Sequence, residues 1–339
     1  NLKHKMNIII PMAGWGTRLR PHTLTVPKPM LSVAGKPIVE HWVNDLVKCV
    51  DEKIENVVFI IRSDFGKKIE DQLMRIADSL QVKGHIRYQE EPLGTAHAIL
   101  CAGDFLNDKI IVGFADTLFK MDFNIDTNKE GIIFVQKVDD PSAFGVVKLN
   151  ADGIITDFIE KPKDFVSDLA IIGIYYFKDG ANLRAEMQYL LDNDIKEKGE
   201  YQLTNAMENM KQKGLKFEKG EVVDWLDCGN KNATVSTNSA YLNYLKGTAI
   251  VDASLKNMNS TIIAPCFIDA SVTLINSVVG PGVSIGKNVT IENAVISHSI
   301  IQSNTMLKNK LITNSMIGNN VRLVGEMDDL SIGDYTVIE

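Results

Sequence analysis

Cysteine is scarce in this chain and unpatterned. Cys49, Cys101, Cys228 and Cys266 show neither metal-ligand nor redox spacing, which offers no disulfide framework and suits a reducing cytoplasm. Long apolar runs are missing as well: none approaches the roughly 18 residues of a membrane-spanning helix, and no secretory apolar segment is found. Basic residues are outnumbered, 36 Lys and Arg against 43 Asp and Glu for a net charge of -7, so a concentrated basic face for nucleic acid is not expected. Both familiar phosphate loops are absent. A P-loop needs Gly, four residues and then Gly-Lys-Ser/Thr, and a dinucleotide fingerprint needs a third glycine where this chain has Leu19. What remains is ordinary in amount: 339 residues, 45% hydrophobic and 23% charged, enough to bury a core and to divide into two domains.

Against that acidic background, nothing acidic occurs from Asn1 to Val39. Within this span, Met6 to Pro37 reads MNIIIPMAGWGTRLRPHTLTVPKPMLSVAGKP. Ile8-Ile9-Ile10 predicts a buried first strand, and Gly14 and Gly16 free the following backbone to wrap a ligand. The loop then delivers Thr17, Arg18, Arg20 and, beyond two prolines, Lys28. Positive charge gathered at the first strand-to-loop junction suits an anion site at the carboxyl end of a sheet.

Up to about Phe114, apolar strands alternate with amphipathic helices. The pattern predicts helices at about Pro37 to Val50, Asp64 to Leu80 and Thr95 to Ala102. Strands are expected at Val57 to Ile61, His85 to Gln89 and Ile110 to Phe114. Such βα units predict an α/β fold, a mostly parallel sheet with helices on both faces and ligands at the strands' carboxyl ends. From Gly131 shorter strands with turns follow, including Val146 to Leu149, an Asn150-Ala151-Asp152-Gly153 turn and Ile154 to Ile159, read as antiparallel structure beside a substrate cleft. After a linking helix at about Asn232 to Leu245, small aliphatic residues recur every five or six positions, as in Val283, Val289, Val295 and Ile301. That is the hexapeptide pattern of a left-handed parallel β-helix, each six-residue side turning one apolar residue inward. The steps become irregular after Met306, where distorted coils are expected.

Several residues near strand ends have chemistry suited to a nucleotide. The Gln89 amide offers a donor and an acceptor to the imide edge of uracil or thymine, and Gly94 lets backbone approach a base. By themselves both also fit a polar strand end and a helix N-terminus, and His97 reads as a packed helix residue. Asp116, just past a buried strand, suits Mg²⁺, which takes one or two carboxylates and completes its shell with phosphates and water; it equally suits a turn or a cap. Glu160-Lys161 could accept sugar hydroxyls and offset a phosphate, or form solvated surface.

The pattern Gly-x-Gly-Thr-Arg-Leu-x-Pro-x-Thr followed by Pro27-Lys28-Pro29 resembles the signature of the sugar-nucleotidyltransferases, the nucleoside-diphosphate-sugar pyrophosphorylases. Ala13-Gly14-Trp15-Gly16 is similar to the shorter form of that loop in bacterial UTP–glucose-1-phosphate uridylyltransferases. Phe144-Gly145-Val146, Glu160-Lys161-Pro162, Gly199-Glu200-Tyr201-Gln202-Leu203-Thr204-Asn205 and Trp225-Leu226-Asp227-Cys228-Gly229 resemble later motifs of the same family. The departures are Ala115 for Gly, Asp168 for Asn, Ile172 for Thr, Asn205 for Asp and Cys228 for Thr.

The resemblance implies a Rossmann-like catalytic domain at residues 6–246 and a hexapeptide β-helix at 247–339, associating into a homo-oligomer. It assigns Arg18 and Lys28 to catalysis, and Ala13, Gly14, Gly16, Thr17, Gln89 and Gly94 to the nucleotide. It assigns Gly145, Glu160, Lys161 and Glu200 to the sugar phosphate, with Asp116 and Asp227 as Mg²⁺ ligands and Trp225 as a packing wall. The implied reaction converts a nucleoside triphosphate and a sugar 1-phosphate to a nucleoside-diphosphate sugar and pyrophosphate. UTP or dTTP with glucose 1-phosphate is the first pair. Glu91 to Ala96 also looks like the mannose-1-phosphate guanylyltransferases. Two other readings are a catalytically silent nucleotide-sugar-binding subunit and an acyltransferase using His298, the sole histidine of the repeat region.

Overall fold

A computed structural model describes residues 6–122, 124–245, 249–252 and 254–337. The chain divides into two compact units, one of residues up to Leu31 together with Lys36–Gly229, the other of Ser32–Gly35 together with Asn230 onward. The junction expected at residues 246 and 247 lies outside the described residues. The helix before it, expected as a linker, groups with the second unit.

The first unit opens with β1 (Met6–Pro11), buried throughout. It is followed by α1 (Ile38–Val47), β2 (Ile54–Ile61), α2 (Lys67–Ser79), β3 (Lys83–Tyr88), α3 (Thr95–Leu100) and β4 (Lys109–Gly113). All seven have counterparts in the sequence pattern, with ends shifted by a few residues. β2 and β4 flank β1 in parallel, Ile8 facing Val57 on one side and Ile111 on the other. β3 extends the sheet beyond β2. The chain therefore leaves β3 and crosses to the far side of β1 to make β4. This is a topological switch point, where the loops after two neighbouring strands diverge and leave a crevice. The loop after β1 and the segment after β4 both open there.

Beyond β4 the sheet becomes mixed. β5 (Thr117–Lys120) leaves it, whereas β6 (Gly131–Lys137), β7 (Gly145–Leu149), β8 (Ile155–Glu160) and β9 (Leu169–Phe177) continue it. β7 and β8 form the expected antiparallel pair, and β9 runs antiparallel to both β4 and β6. β10 (Phe217–Glu221) pairs with β6 in parallel. Among the described residues these make one nine-stranded sheet. β11 (Asp224–Asp227) pairs antiparallel with β5 in a separate ribbon, placing Asp227 opposite Thr117.

Two helices have no counterpart in the sequence reading: α4 (Gly180–Asp192) and α5 (Leu203–Gln212). Their signal is local all the same. Asp179 caps α4 by accepting from the Asn182 backbone N–H. Leu203, Ala206, Met207 and Met210 of α5 fall at helical spacing and are all buried.

The second unit contains α6 (Lys231–Tyr244) and a three-faced parallel β-helix. One face stacks residues 249–251, 266–268, 283–285, 299–301 and 315–317. Inward residues repeat rung by rung: Ile268, Ile285 and Ile301 on that face, Leu274, Ile291 and Leu307 on the next. All six are buried. Corner residues Asn259, Asn276, Asn293 and Asn309 have positive φ, a conformation asparagine tolerates better than most side chains. Their amides are hydrogen-bonded in series up the prism. The distortion expected after Met306 begins later: Leu307 pairs with Leu323 and Ile301 with Ile317 in unbroken register, so regular rungs reach Val324, and among the described residues from 325 to 337 there is no strand. Of the expected inward series Val283, Val289 and Ile301 are buried, but Val295 is 45% exposed and faces outward, the neighbouring Ile296 taking the inward place.

Candidate active site

At the end of β1 the backbone breaks away, with the Met12 N–H donating to the Ile60 carbonyl. Gly16 takes φ +62, and a Cβ there would stand 2.7 Å from the Lys28 Cβ. Only glycine fits that turn without strain or displacement. Thr23 Oγ1 donates to the Gly16 carbonyl at 2.9 Å and closes the loop on itself. A short 3-10 turn at Thr17–Leu19 buries Leu19 and carries Arg18. A second, at Lys28–Met30, carries Lys28, whose Nζ lies 3.3 Å from Asp116 Oδ2.

The crevice at the switch point holds a cavity of about 310 Å³ lined by Ala13, Gly14, Gly16, Arg18, Lys28 and Gln89, and also by Gly94, Asp116 and Glu200. Gly94 and Glu200, far apart in sequence, come together because Leu93 and Ala96 exchange backbone hydrogen bonds with Tyr201. Gly94 has φ +115, and a Cβ would stand 2.5 Å from the Tyr201 carbonyl oxygen. Gln89 is 8% exposed, its Nε2 3.3 Å from the Gly94 carbonyl and 3.1 Å from His97 Nδ1.

A second cavity of about 340 Å³ is lined by Gly145, Glu160, Lys161, Tyr175, Trp225 and Asp227. Arg18, Asp116 and Glu200 line both cavities. Gly145 matters for space: a Cβ there would lie 3.0 Å from Glu160 Oε2. Lys161 adopts φ +43, an uncommon conformation for a non-glycine residue that recurs at binding sites. Its Nζ is 3.8 Å from Glu160 Oε1. Burial pushes the Glu160 carboxyl above the usual glutamate range, against the pull of Lys161 and Lys198 and with a further push from Glu197. Burial likewise raises the Tyr175 phenol, aided by Glu160 and Asp116, so Tyr175 stays a neutral donor.

Of the residues expected at the site, Thr17 lines neither cavity, and all the others line at least one. Asp168 does not reach it either and lies 3.0 Å from Lys137 Nζ, while Ile172 contributes apolar wall to the second cavity. His298, on the β-helix unit, is exposed with Nδ1 3.3 Å from Ser239 Oγ.

The structure adds residues the sequence reading did not single out: Thr95, Phe114, Tyr175, Gln202 and Thr204 in the second cavity's wall. Tyr175 was indistinguishable from core within its apolar strand. Thr204 Oγ1 and Trp225 Nε1 are buried without a hydrogen-bond partner among the described residues. Unpaired buried polar atoms are uncommon; of the four among the described residues, Trp42 Nε1 and Glu186 Oε2 lie away from both cavities, whereas these two belong to residues lining one, as a hydroxyl-bearing ligand would need. Trp225, expected as a packing wall, therefore also carries a polar atom.

Asp116 and Asp227 sit at the same end of the β5–β11 ribbon. Among the described residues no group of three or more His, Cys, Asp or Glu could hold a metal. Two carboxylates fit Mg²⁺, which draws its other ligands from phosphates and water.

Residues 7–244 match the family model described as Nucleotidyl transferase. The bifunctional protein GlmU of Methanococcus maripaludis is 36% identical over 247 residues, covering 70% of this chain and 55% of that protein. The chain thus spans little more than half the length of that relative. A glucose-1-phosphate thymidylyltransferase of Streptomyces antibioticus is 28% identical over 328 residues, 89% of this chain and 88% of that one. A solved UDP-glucose pyrophosphorylase complexed with UDP-glucose shares the fold, with a TM-score of 0.58 at 22% identity over 71% of this chain and 99% of that one. With most of its first unit matched and the motifs assembled around one crevice, this chain belongs to the nucleotidyl transferase family.

Proposed function

We propose that this protein transfers a nucleotidyl group from a nucleoside triphosphate to a sugar 1-phosphate, releasing pyrophosphate. The observation that carries this reading is the meeting of two cavities at Arg18, Asp116 and Glu200. A nucleotide in the first and a sugar phosphate in the second would bring their phosphates together there. The glycine loop of Ala13, Gly14 and Gly16 wraps the nucleotide, with Gln89 and Gly94 at the base. Gly145, Glu160, Lys161 and Glu200 hold the sugar phosphate.

A phosphate oxygen of the sugar 1-phosphate attacks the α-phosphorus in line, forming the new P–O bond as the bond to pyrophosphate breaks. The nucleophile is already an anion, so no general base is needed, and positioning with charge neutralisation accounts for the rate. Arg18 clamps the triphosphate and the departing pyrophosphate, Lys28 offsets charge at the reacting phosphates and Lys161 holds the sugar phosphate. Asp116 and Asp227 would hold Mg²⁺, which when bound offsets phosphate charge.

UTP or dTTP with glucose 1-phosphate is the pair we favour, supported by the Gln89 amide and by the likeness to a glucose-1-phosphate thymidylyltransferase over most of both chains. Mannose 1-phosphate with GTP is the runner-up. Copies of the chain associate through the β-helix, whose outward column Val278, Val295 and Leu311 runs across successive rungs, with Leu311 85% exposed.

The test is pyrophosphate release with Mg²⁺ over ATP, CTP, GTP, UTP and dTTP, each with glucose, mannose, galactose and N-acetylglucosamine 1-phosphates. One pair should dominate. No turnover with any pair would overturn the reading, and binding of nucleotide sugars without turnover would leave a silent binding subunit in its place.

A further inference from the structure

We infer that His97 is the positioning residue of the base pocket: its Nδ1 holds the Gln89 side-chain amide so that the Gln89 carbonyl oxygen alone is offered to the base. This rests on reading Gln89 as base-binding.

The Gly94 carbonyl oxygen can only accept, so the amide end of Gln89 lying 3.3 Å away is the NH₂. That same nitrogen lies 3.1 Å from His97 Nδ1. Having spent one hydrogen on Gly94, it has a second for Nδ1, which must then carry a lone pair rather than a proton. The histidine is arranged to supply one. A neutral imidazole whose lone pair is on Nδ1 carries its proton on Nε2. Burial lowers the pKa of His97 and favours the neutral ring, with the Glu91 charge and carbonyl opposing. On its own helix, Cys101 Sγ donates to the His97 backbone carbonyl and leaves the ring alone.

The consequence is chemical selectivity. Both NH₂ hydrogens of Gln89 are engaged, and Oε1 has no hydrogen bond among the described residues. Gln89 lines the first cavity, so the pocket presents it as an acceptor. An acceptor suits the ring N–H of uracil, thymine or guanine and meets the bare ring nitrogen of cytosine or adenine with a lone pair. His97 therefore favours bases that donate from the ring, through Gln89 and without touching them. An amide free to turn would offer its NH₂ to either class.

The test replaces His97 in the full chain and compares pyrophosphate release from UTP and CTP, the pyrimidine pair that differs most at this edge. His97→Phe keeps a ring but removes the acceptor. It should narrow the UTP-to-CTP ratio in kcat/KM by about 3- to 10-fold, the worth of one hydrogen bond, through KM rather than kcat. His97→Asn restores a side-chain carbonyl that can accept from Gln89 and should recover much of the ratio. A role in packing alone would give the opposite order, with Phe tolerated and Asn not, and would overturn the inference. So would an unchanged ratio in both variants, or a wild-type preference for CTP or ATP. Gln89→Ala separates the two levels. If it raises the nucleotide KM while the His97 variants leave the ratio alone, base binding by Gln89 stands and the positioning role is lost. If Gln89→Ala leaves that KM unchanged, both fall.

Discussion

Lys28 Nζ lies 3.3 Å from Asp116 Oδ2, the lysine side chain 8% exposed and the aspartate 50%. The cation is thus held inside the protein by a carboxylate that remains open to solvent and to incoming ligands. An ammonium so placed is pre-oriented toward the crevice where the phosphates of the proposed substrates would sit, and little reorganisation is needed when charge develops there.

Lys28→Met should therefore lower kcat by about 10²-fold or more, the range seen when one pre-oriented charge stabiliser is removed. Lys28→Arg should recover little, because the stem of Lys28 packs under Gly16 and a planar guanidinium is not a substitute for a compact ammonium. Turnover near wild type in Lys28→Met, measured as pyrophosphate release, would remove Lys28 from catalysis.

Arg18→Ala carries a matching expectation. Because Arg18 lines both cavities, its loss should depress turnover by about 10²-fold or more. A change confined to KM would indicate that it binds substrate and transition state equally well.

The two glycines of the loop should respond differently to alanine. At Gly16 the positive φ and the 2.7 Å approach to Lys28 predict a loss of about 1–2 kcal/mol from backbone strain alone, together with displacement of Lys28 and reduced kcat. At Gly14 nothing lies within 4 Å of a Cβ, so Gly14→Ala should melt with the wild type and raise the nucleotide KM by crowding the first cavity. Thermal unfolding and steady-state kinetics on the pair would decide. Equal melting losses would count against this account of the turn.

Glu160 supplies the pH dependence. Its carboxyl titrates above the usual glutamate range because it is buried. As the pH falls through that raised value the carboxylate becomes a neutral acid and loses acceptor capacity for sugar hydroxyls. The KM for sugar 1-phosphate should rise on acidification, starting at higher pH than an ordinary glutamate would give. Glu160→Gln should have a high KM and lack that pH response; persistence of the response in the variant would assign it to another group.

On the β-helix, inward and outward positions should separate stability from association. Ile291→Ala, inside the prism, should cost about 2–5 kcal/mol. Leu311→Asp, on the exposed column, should leave the melting temperature of the unit nearly unchanged and shift the protein toward monomer in sedimentation velocity. An identical sedimentation coefficient for wild type and Leu311→Asp would place the association elsewhere.

How much of this was legible in the sequence follows from how local each signal is. The strand Ile8-Ile9-Ile10, the glycine loop and Arg18 are contiguous, and the repeat of Ile268, Ile285 and Ile301 obeys a step that each coil imposes on itself. These could be read because neighbouring residues, or residues one rung apart, carry the whole constraint. The helices α4 and α5 follow the same local rules through the Asp179 cap and the buried Leu203, Ala206, Met207 and Met210. They were open to reading as well, although their polar residues weaken the pattern.

By itself, then, the sequence determined the succession of elements, the cationic loop and the prism, along with which residue types were available for phosphate, base and metal. Only the tertiary structure decided which of them meet. Lys28 reaches Asp116 because β1 and β4 are neighbours in register. Glu200 joins both cavities because Tyr201 pairs with the segment at Gly94, and His97 turns from a packed helix residue into a partner of Gln89 because one amide nitrogen falls between two acceptors. Those relations depend on strand order, register and distances of about 3 Å between hydrogen-bonding atoms. No local period encodes them, since the partners are joined by the packing of the sheet rather than by their separation along the chain.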